Sequence, residues 1–323
     1  MNQYPVELHA HTHHSDGDFS VTELVESALD FGYKGLILTD HNTYSGYEEI
    51  VDKLLDQKLV ILRGIEWTTY FGHMLVHDSK DFVDWRTATI ESIGHHIDQV
   101  KEAEGLVGIA HPFAIGNPIC TGCHWEFQVQ DWSKVDYIEV WNRTAPHKQF
   151  WSEKAYDLWT SKLKSGIEIS CSAGRDWHRP DAKGLLPGIT YVQVPDKLEQ
   201  STMKAALKKG SMYITLAPRL EWTLTSQNID YSFGDRVPEG TYTISVSCLE
   251  PSLPLLKELD IEPKRILVIQ NEMIIEEIEL SKTSASFRFD KTLASGYVRV
   301  EIIGRYQNEE DIRLTIGNPV YLK

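Results

Sequence analysis

The sequence predicts an α/β fold for the first two thirds of the chain and a small antiparallel β-sandwich behind it. Three observations carry that reading. Short apolar runs alternate with helical patterns over about 215 residues, as in strand–helix units with largely parallel strands. After Pro218 the pattern changes to period two, first in Thr241-Tyr-Thr-Ile-Ser-Val-Ser. All 13 His lie between His9 and His178, so the chemistry is loaded into the first part. At 323 residues two domains are expected, 1–217 and 218–323.

In chain order, 6–8 is the first strand candidate. Ser20 with Glu23 has the capping-box spacing, in which side chains and backbone N–H groups satisfy one another at a helix start. The run 35–39 is a buried strand, and Ser45 with Glu48 repeats the capping spacing. Strands follow at 59–65 and 106–110, with the helical stripe Ile90, Ile93, Ile97 and Val100 between them. Next come a strand at 137–140, a helix around Phe150, Lys154 and Leu158, and strands at 167–172 and 190–194. A helix at 196–209 ends in Lys-Lys-Gly. Beyond Pro218, alternating runs separated by Gly, Pro and Asn clusters give six or seven short strands in the remaining one hundred or so residues.

Composition bounds the function. Hydrophobic residues make up 41% and charged ones 24%, which supports a packed core rather than disorder. The net charge of −15 argues against nucleic acid or an anionic membrane as partner, since both need a cationic footprint. No apolar run reaches membrane-spanning length, and Met1-Asn2-Gln3-Tyr4 leads straight into a polar stretch without a signal peptide. A cytoplasmic protein acting on a small molecule, with homo-oligomers open, is the expectation. Cys120 and Cys123 precede His124 in a C-x-x-C-H string, but Cys171 and Cys248 are isolated. Neither a haem attachment nor a four-cysteine zinc site is completed, so a reduced structural pair is expected.

The informative pattern is where His, Asp and Glu fall on the strand map. His9 and His11 close the first strand, and Asp16 follows just before Gly17. His41 follows the second strand, Glu66 the third with His73 beyond it, and His111 the run 106–110. Asp176 and His178 follow the strand at 167–172. Five strands thus deliver imidazoles and carboxylates at their C-terminal ends, the face where sites assemble in barrel-like α/β folds. Imidazole with carboxylate and no thiolate suits Zn, Mn or Fe(II) at a hydrolytic centre. Capping and core-edge roles would explain one or two of these residues, but not nine on one face.

The ordered strings H-A-H-T-H-H-S-D-G, L-T-D-H-N-T, R-G-I-E-W-T with G-H, A-H-P-F and G-R-D-W-H resemble the polymerase-and-histidinol-phosphatase (PHP) superfamily over residues 4 to 217. I-E-W-T-T, D-W-R, C-T-G-C-H-W and I-E-V-W-N are similar to its carbaryl-hydrolase-like branch. The resemblance implies a distorted seven-stranded (β/α)7 barrel with two or three divalent metals. His9, His11, Glu66 and Asp176 would hold the first. Glu66, His73 and His111 would hold the second, with Glu66 bridging, and Asp16, His41 and His178 the third.

The expected reaction is hydrolysis of a small phosphate ester by a hydroxide shared between metals. The alternatives are a carbamate or carboxylic ester hydrolase on the same centre, and a non-catalytic binding module. Glu66 and Asp176 are expected at the reacting centre, with Arg143 and Arg175 as candidate cations for an oxyanion. His13 and His14 are expected to be solvated or to touch substrate. His77, His95 and His96 read as structural, and His124 and His147 lie outside the motifs. Trp67, Trp125, Trp141 and Trp177 adjoin the motifs, which hints at a flat substrate and equally at core packing.

Overall fold

The computed structural model describes residues 1–53, 58–116, 122–180, 185–281 and 285–323. Among the described residues, nine strands and five α-helices fill the first two thirds. They are β1 (Asn2–Ala10), α1 (Val21–Phe31), β2 (Gly35–Leu38), α2 (Ser45–Lys53), β3 (Val60–Thr69), β4 (Gly72–His77), α3 (Ile93–Glu102), β5 (Leu106–Ile109), β6 (Tyr137–Asn142), α4 (Phe150–Lys164), β7 (Ser170–Gly174), β8 (Ile189–Val194), α5 (Gln200–Lys209) and β9 (Met212–Thr215). Among the described residues no helix is long and apolar enough to cross a membrane.

The fold is mixed α/β, and its departures from a simple seven-unit barrel have physical causes. Strands β1, β2 and β3 pair in parallel, as do β5, β6 and β7. Between the two sets lies β4, antiparallel to both of its neighbours. Only Tyr70 and Phe71 separate β3 from β4, too few for the crossover of a dozen residues that a parallel pair requires. The sequence reading missed β4 as a strand and so expected uniform strand–helix units. At the other end, the segment just past β7 meets β1 through the isolated bridge Ala10–Trp177 rather than a ladder, and β1 also pairs antiparallel with β8.

Local signals set the helix ends. Ser20 and Glu23 form the expected capping box, and Gly32 closes α1 at φ 102°, a left-handed turn that glycine adopts freely. The second expected capping box does not form. Ser45 lies inside the first turn of α2, where its hydroxyl meets Thr43 and His14 instead.

After Pro218 the chain is sheet-rich. The described residues hold ten strands there against the six or seven expected, because strands as short as Arg236–Val237 show no period. They fall into two sheets. One holds Ile229–Tyr231, Arg219–Ser226, Gly240–Leu249 and Ala285–Leu293, all antiparallel. The other, built around Gly296–Tyr306 and Glu309–Gly317, is not separate from the first part: Glu309–Gly317 pairs with β9, so one hydrogen-bonded sheet runs from β7 into the C-terminal region. Buried side chains of both sheets, among them Trp222, Val246, Val268 and Val300, join one apolar cluster with Trp67 and Trp159 of the first part.

Candidate metal centre

The site lies where the parallel strands end. His9 is the penultimate residue of β1 and His11 lies just past it, while His111 and Asp176 follow β5 and β7 by two residues. His73 is near the start of β4, and because β4 is reversed its start lies beside the ends of its parallel neighbours. Glu66, wholly buried, stands at the middle. Its Oε2 is 3.1 Å from His9 Nε2 and 3.3 Å from His11 Nε2. Its Oε1 is 2.9 Å from His73 Nδ1 and 3.1 Å from His111 Nε2. Asp176 Oδ1 lies 3.4 Å from His9 Nε2 and 3.2 Å from His11 Nε2.

The outer residues join this cluster more intimately than the motif order suggests. Asp16 Oδ1 is 3.1 Å from His178 Nε2 and 3.3 Å from His41 Nε2. His41 also reaches inward, with Nδ1 3.0 Å from Glu66 Oε2, and it contacts the Thr68 hydroxyl. Potential ligand atoms gather as His9, His11, Glu66 and Asp176; as His41, Glu66 and His73; as His11, Asp16, His41 and His178; and as His9, His111 and Glu139, with a separate outer group of His13, His14 and Glu49. All nine residues singled out from the sequence are thus brought together, His111 through its contacts with Glu66 and with the His9 group, and His9, His11, Glu66 and His41 each belong to two groups.

The donor set fits cations. His9 Nε2, both ring nitrogens of His11, Glu66 Oε2, His73 Nε2 and His111 Nδ1 are buried without a hydrogen-bond partner, a costly arrangement for polar atoms in the absence of a ligand. Burial, with the His41 and His178 rings beside it, lowers the His11 pKa to about 3, so this imidazole keeps its lone pair free. Burial disfavours charge on Glu66 and Asp176, yet the surrounding imidazoles, His9 foremost, hold both carboxyls well below the usual range. Burial likewise opposes charge on His41, but Glu66 and Asp16 push it up to about 11. The carboxylates call for positive charge at this spot, and imidazole can supply it only by taking up a proton.

Several supporting residues were not legible as such. Glu7 Oε1 accepts from the backbone N–H of His9 at 3.0 Å and of Arg175 at 2.9 Å, tying β1 to the exit of β7. Asp40 accepts from Thr12 N–H, the Thr12 hydroxyl and the Ser15 hydroxyl, fastening the loop that carries Asp16. Glu139 contacts His9, the His111 backbone and Asn142. Each is a carboxylate whose partners come from distant segments, and a single sequence holds no signal for such pairing.

A cavity of about 400 Å³ opens onto the cluster, bordered by Asp16, His41, Arg143, Asp176 and His178. The two arginines separate. Arg143 is half exposed, its Nε 3.5 Å from Asp176 Oδ2. Arg175 also borders the cavity but is buried, with its guanidinium carbon 3.5 Å from the Trp177 ring centre and 4.8 Å from that of Phe31. Of the four tryptophans near the motifs only Trp177 lines the cavity; Trp67 and Trp141 fill the core. Cys123 is buried on the cavity wall, and Cys120 lies outside the described residues. His77 is buried against the Tyr137 hydroxyl, and burial takes its pKa to about 3. His14 meets Ser45 and Glu49, while His13 and His124 are exposed.

Among the described residues thirteen non-glycine residues have positive φ, and three of them stand at the site. His111, Arg143 and Asp176 all adopt positive φ, at 26°, 63° and 50°. Such non-glycine residues cost about 1–3 kcal/mol each and persist only where surrounding contacts over-determine them, commonly at functional sites.

Residues 7–111 match the PHP domain model, which takes in seven of the nine clustered residues. No curated protein sequence matches the chain. Among solved structures, a two-domain Bacteroides vulgatus protein containing a predicted PHP-like metal-dependent phosphoesterase aligns over 99% of this chain and 95% of its own, at 14% identity and a TM-score of 0.57. At that identity the likeness establishes the two-part fold alone. A Bifidobacterium adolescentis protein proposed as a metal-dependent phosphoesterase shares 18% identity, covering 62% of this chain and 95% of its own, at a TM-score of 0.39, too low to carry an argument.

Proposed function

We propose that the cavity is the active site of a metal-dependent phosphoesterase acting on a small phosphate ester. One observation carries this reading: nine His, Asp and Glu side chains from separate strand ends and loops converge, and the buried nitrogens and oxygens at their centre lack hydrogen-bond partners. The donor types suit two or three divalent ions such as Zn, Mn or Fe. His9, His11, Glu66 and Asp176 would hold the first ion. Glu66, His73 and His111 would hold the second, and Asp16, His41 and His178 the third. When bound, such ions supply positive charge to a phosphoryl oxygen and make water nucleophilic near neutral pH.

The chain's own residues bind and orient. Glu66 is central and wholly buried, so its carboxylate can be shared only by groups inside the cluster. Arg143, half exposed at the rim, can donate its planar N–H fork to phosphate oxygens. Asp16 and His178 stand on the open side, where a substrate enters. A volume of about 400 Å³ suits a small molecule. The net charge of −15 supports the absence of a nucleic-acid partner, and a cytoplasmic location belongs to the same proposal.

The motif strings similar to the carbaryl-hydrolase-like branch favour a second reading, hydrolysis of a carbamate or carboxylic ester, with Arg143 facing a carbonyl oxyanion. A third, a non-catalytic module, is countered by the full set of nine side chains. The experiment is metal analysis of freshly purified protein, followed by turnover of p-nitrophenyl phosphates, phosphodiesters and naphthyl carbamates with and without chelator. Phosphatase activity abolished by chelation is the expected result. Carbamate turnover alone would select the second reading, and no metal with no turnover the third.

A further inference from the structure

We propose that Glu139 is a positioning residue that fixes His9 and His111 together, so that two metal positions depend on one carboxylate outside the ligand set. The proposal rests on the metal-centre reading above. Glu139 lies inside β6 between Ile138 and Val140, and only 1% of it is exposed. A carboxylate so buried is costly unless its oxygens are satisfied, and no Lys or Arg pairs with it among the described residues. Three contacts meet its oxygens instead. Oε1 is 3.0 Å from His9 Nδ1. Oε2 accepts from the His111 backbone N–H and from Asn142 Nδ2, each at 3.0 Å.

The geometry sets the state of His9. A carboxylate can only accept, so the Nδ1 that faces it carries a proton, and Nε2, which faces Glu66 at 3.1 Å and Asp176 at 3.4 Å, is left as the nitrogen that can meet a cation. The second oxygen holds the backbone of His111 at its positive φ of 26°. That ring then presents Nε2 to Glu66 Oε1 at 3.1 Å. Gly174 makes the contact possible: a Cβ there would stand 2.2 Å from Glu139 Oε1 and 2.7 Å from the His9 Cβ. His9 belongs to the first proposed metal position and His111 to the second, so Glu139 supports both from behind.

Both oxygens are needed. Glutamine offers one acceptor, so Glu139→Gln sets an N–H donor against either His9 or the His111 and Asn142 donors. Outer supports of metal ligands are worth about 10–100-fold in affinity. The test uses the full chain, titrated with Mn or Zn against a competing chelator. Glu139→Gln is expected to weaken the first and second sites together by that factor. The wild type supplies an independent readout: in histidine-labelled, Zn-loaded protein, nitrogen–proton correlation should show His9 protonated at Nδ1. Unchanged affinities in Glu139→Gln would overturn the proposal. So would loss confined to one site, or a His9 without an Nδ1 proton, which would make Glu139 a ligand of an ion held by that nitrogen. A wild type that takes up no divalent metal would sink the metal-centre reading itself.

Discussion

His41 Nδ1 lies 3.0 Å from Glu66 Oε2, so the innermost carboxylate touches a residue of the outermost proposed metal group. Glu66 therefore borders every ligand group: His9 and His11 on one oxygen, His73 and His111 on the other, and His41 beside them. Glu66→Gln removes the charge that lets cations sit close together. The expected outcome is loss of at least one metal and a fall in rate of at least about 100-fold. Metal content and kcat measured together check it, and near-normal turnover with full metal content would refute the central role.

Asp16 offers a test of substrate class. Its side chain is 59% exposed, yet it meets His41 and His178, and Asp40 pins the loop behind it. A phosphoryl group offers several oxygens and gains from a third cation, whereas a carbamate offers one carbonyl oxygen. Asp16→Ala is expected to reduce kcat/KM for phosphoesters far more than for carbamates or esters. Equal losses with an unchanged metal count would remove Asp16 from the third position.

What could be read in the sequence follows from how each signal is carried. His9, His11 and Asp176 were legible because they end runs that announce themselves as strands. β4 was not, since its first two residues, Gly72-His73, looked like a site motif and the strand is buried throughout, with only the short apolar run Met74-Leu75-Val76 and no alternation to mark it. Glu139 carries no signal of its own in the sequence beyond its place in the string I-E-V-W-N. A lone Glu in an apolar strand reads as an anomaly until its three donors, from β1, β6 and the exit of β5, are seen in space. The continuity of β9 with Glu309–Gly317 was hidden for the same reason, because pairing across 100 residues leaves no local trace.

The two parts of the fold are joined by a buried charged network, which gives a pH prediction. Tyr156 of α4 donates to Glu301 Oε1 at 2.5 Å, Arg299 donates to Tyr156, and Arg299 also pairs with Glu301. Burial works to raise the Glu301 pKa, but Arg299 and then Arg313 bring it below its usual 4.5. A depressed carboxyl stabilises the fold above pH 4.5, and that contribution is lost as pH falls through the folded value. Glu301→Gln, which leaves buried Arg299 without its counter-charge, is expected to cost about 3–5 kcal/mol at pH 7. Urea unfolding of both proteins should show the gap narrowing toward acid, and a gap independent of pH would count against the network.

Asn318 links the C-terminal sheet to the strand that delivers Asp176. It is wholly buried, its Oδ1 accepts from Cys171 N–H at 2.7 Å, and its Nδ2 donates to Cys171 C=O at 3.0 Å. Cys171 lies in β7, and Asp176 follows that strand by two residues. Asn318 thus takes the place of a neighbouring strand where β7 would otherwise expose its edge. Asn318→Ala leaves two buried backbone groups unsatisfied, at roughly 1–3 kcal/mol each, so Tm should fall by several degrees. The strain at Asp176, φ 50°, depends on β7 being held, so metal affinity should weaken as well, although among the described residues no side chain beyond His178 joins a ligand group. Cutting the chain after residue 217 should be harsher, because it bares β9 and removes the Glu301 network along with Asn318. Calorimetry of Asn318→Ala with a parallel metal titration checks the argument. A lowered Tm with metal affinity intact would show that β7 holds Asp176 without help from the C-terminal sheet.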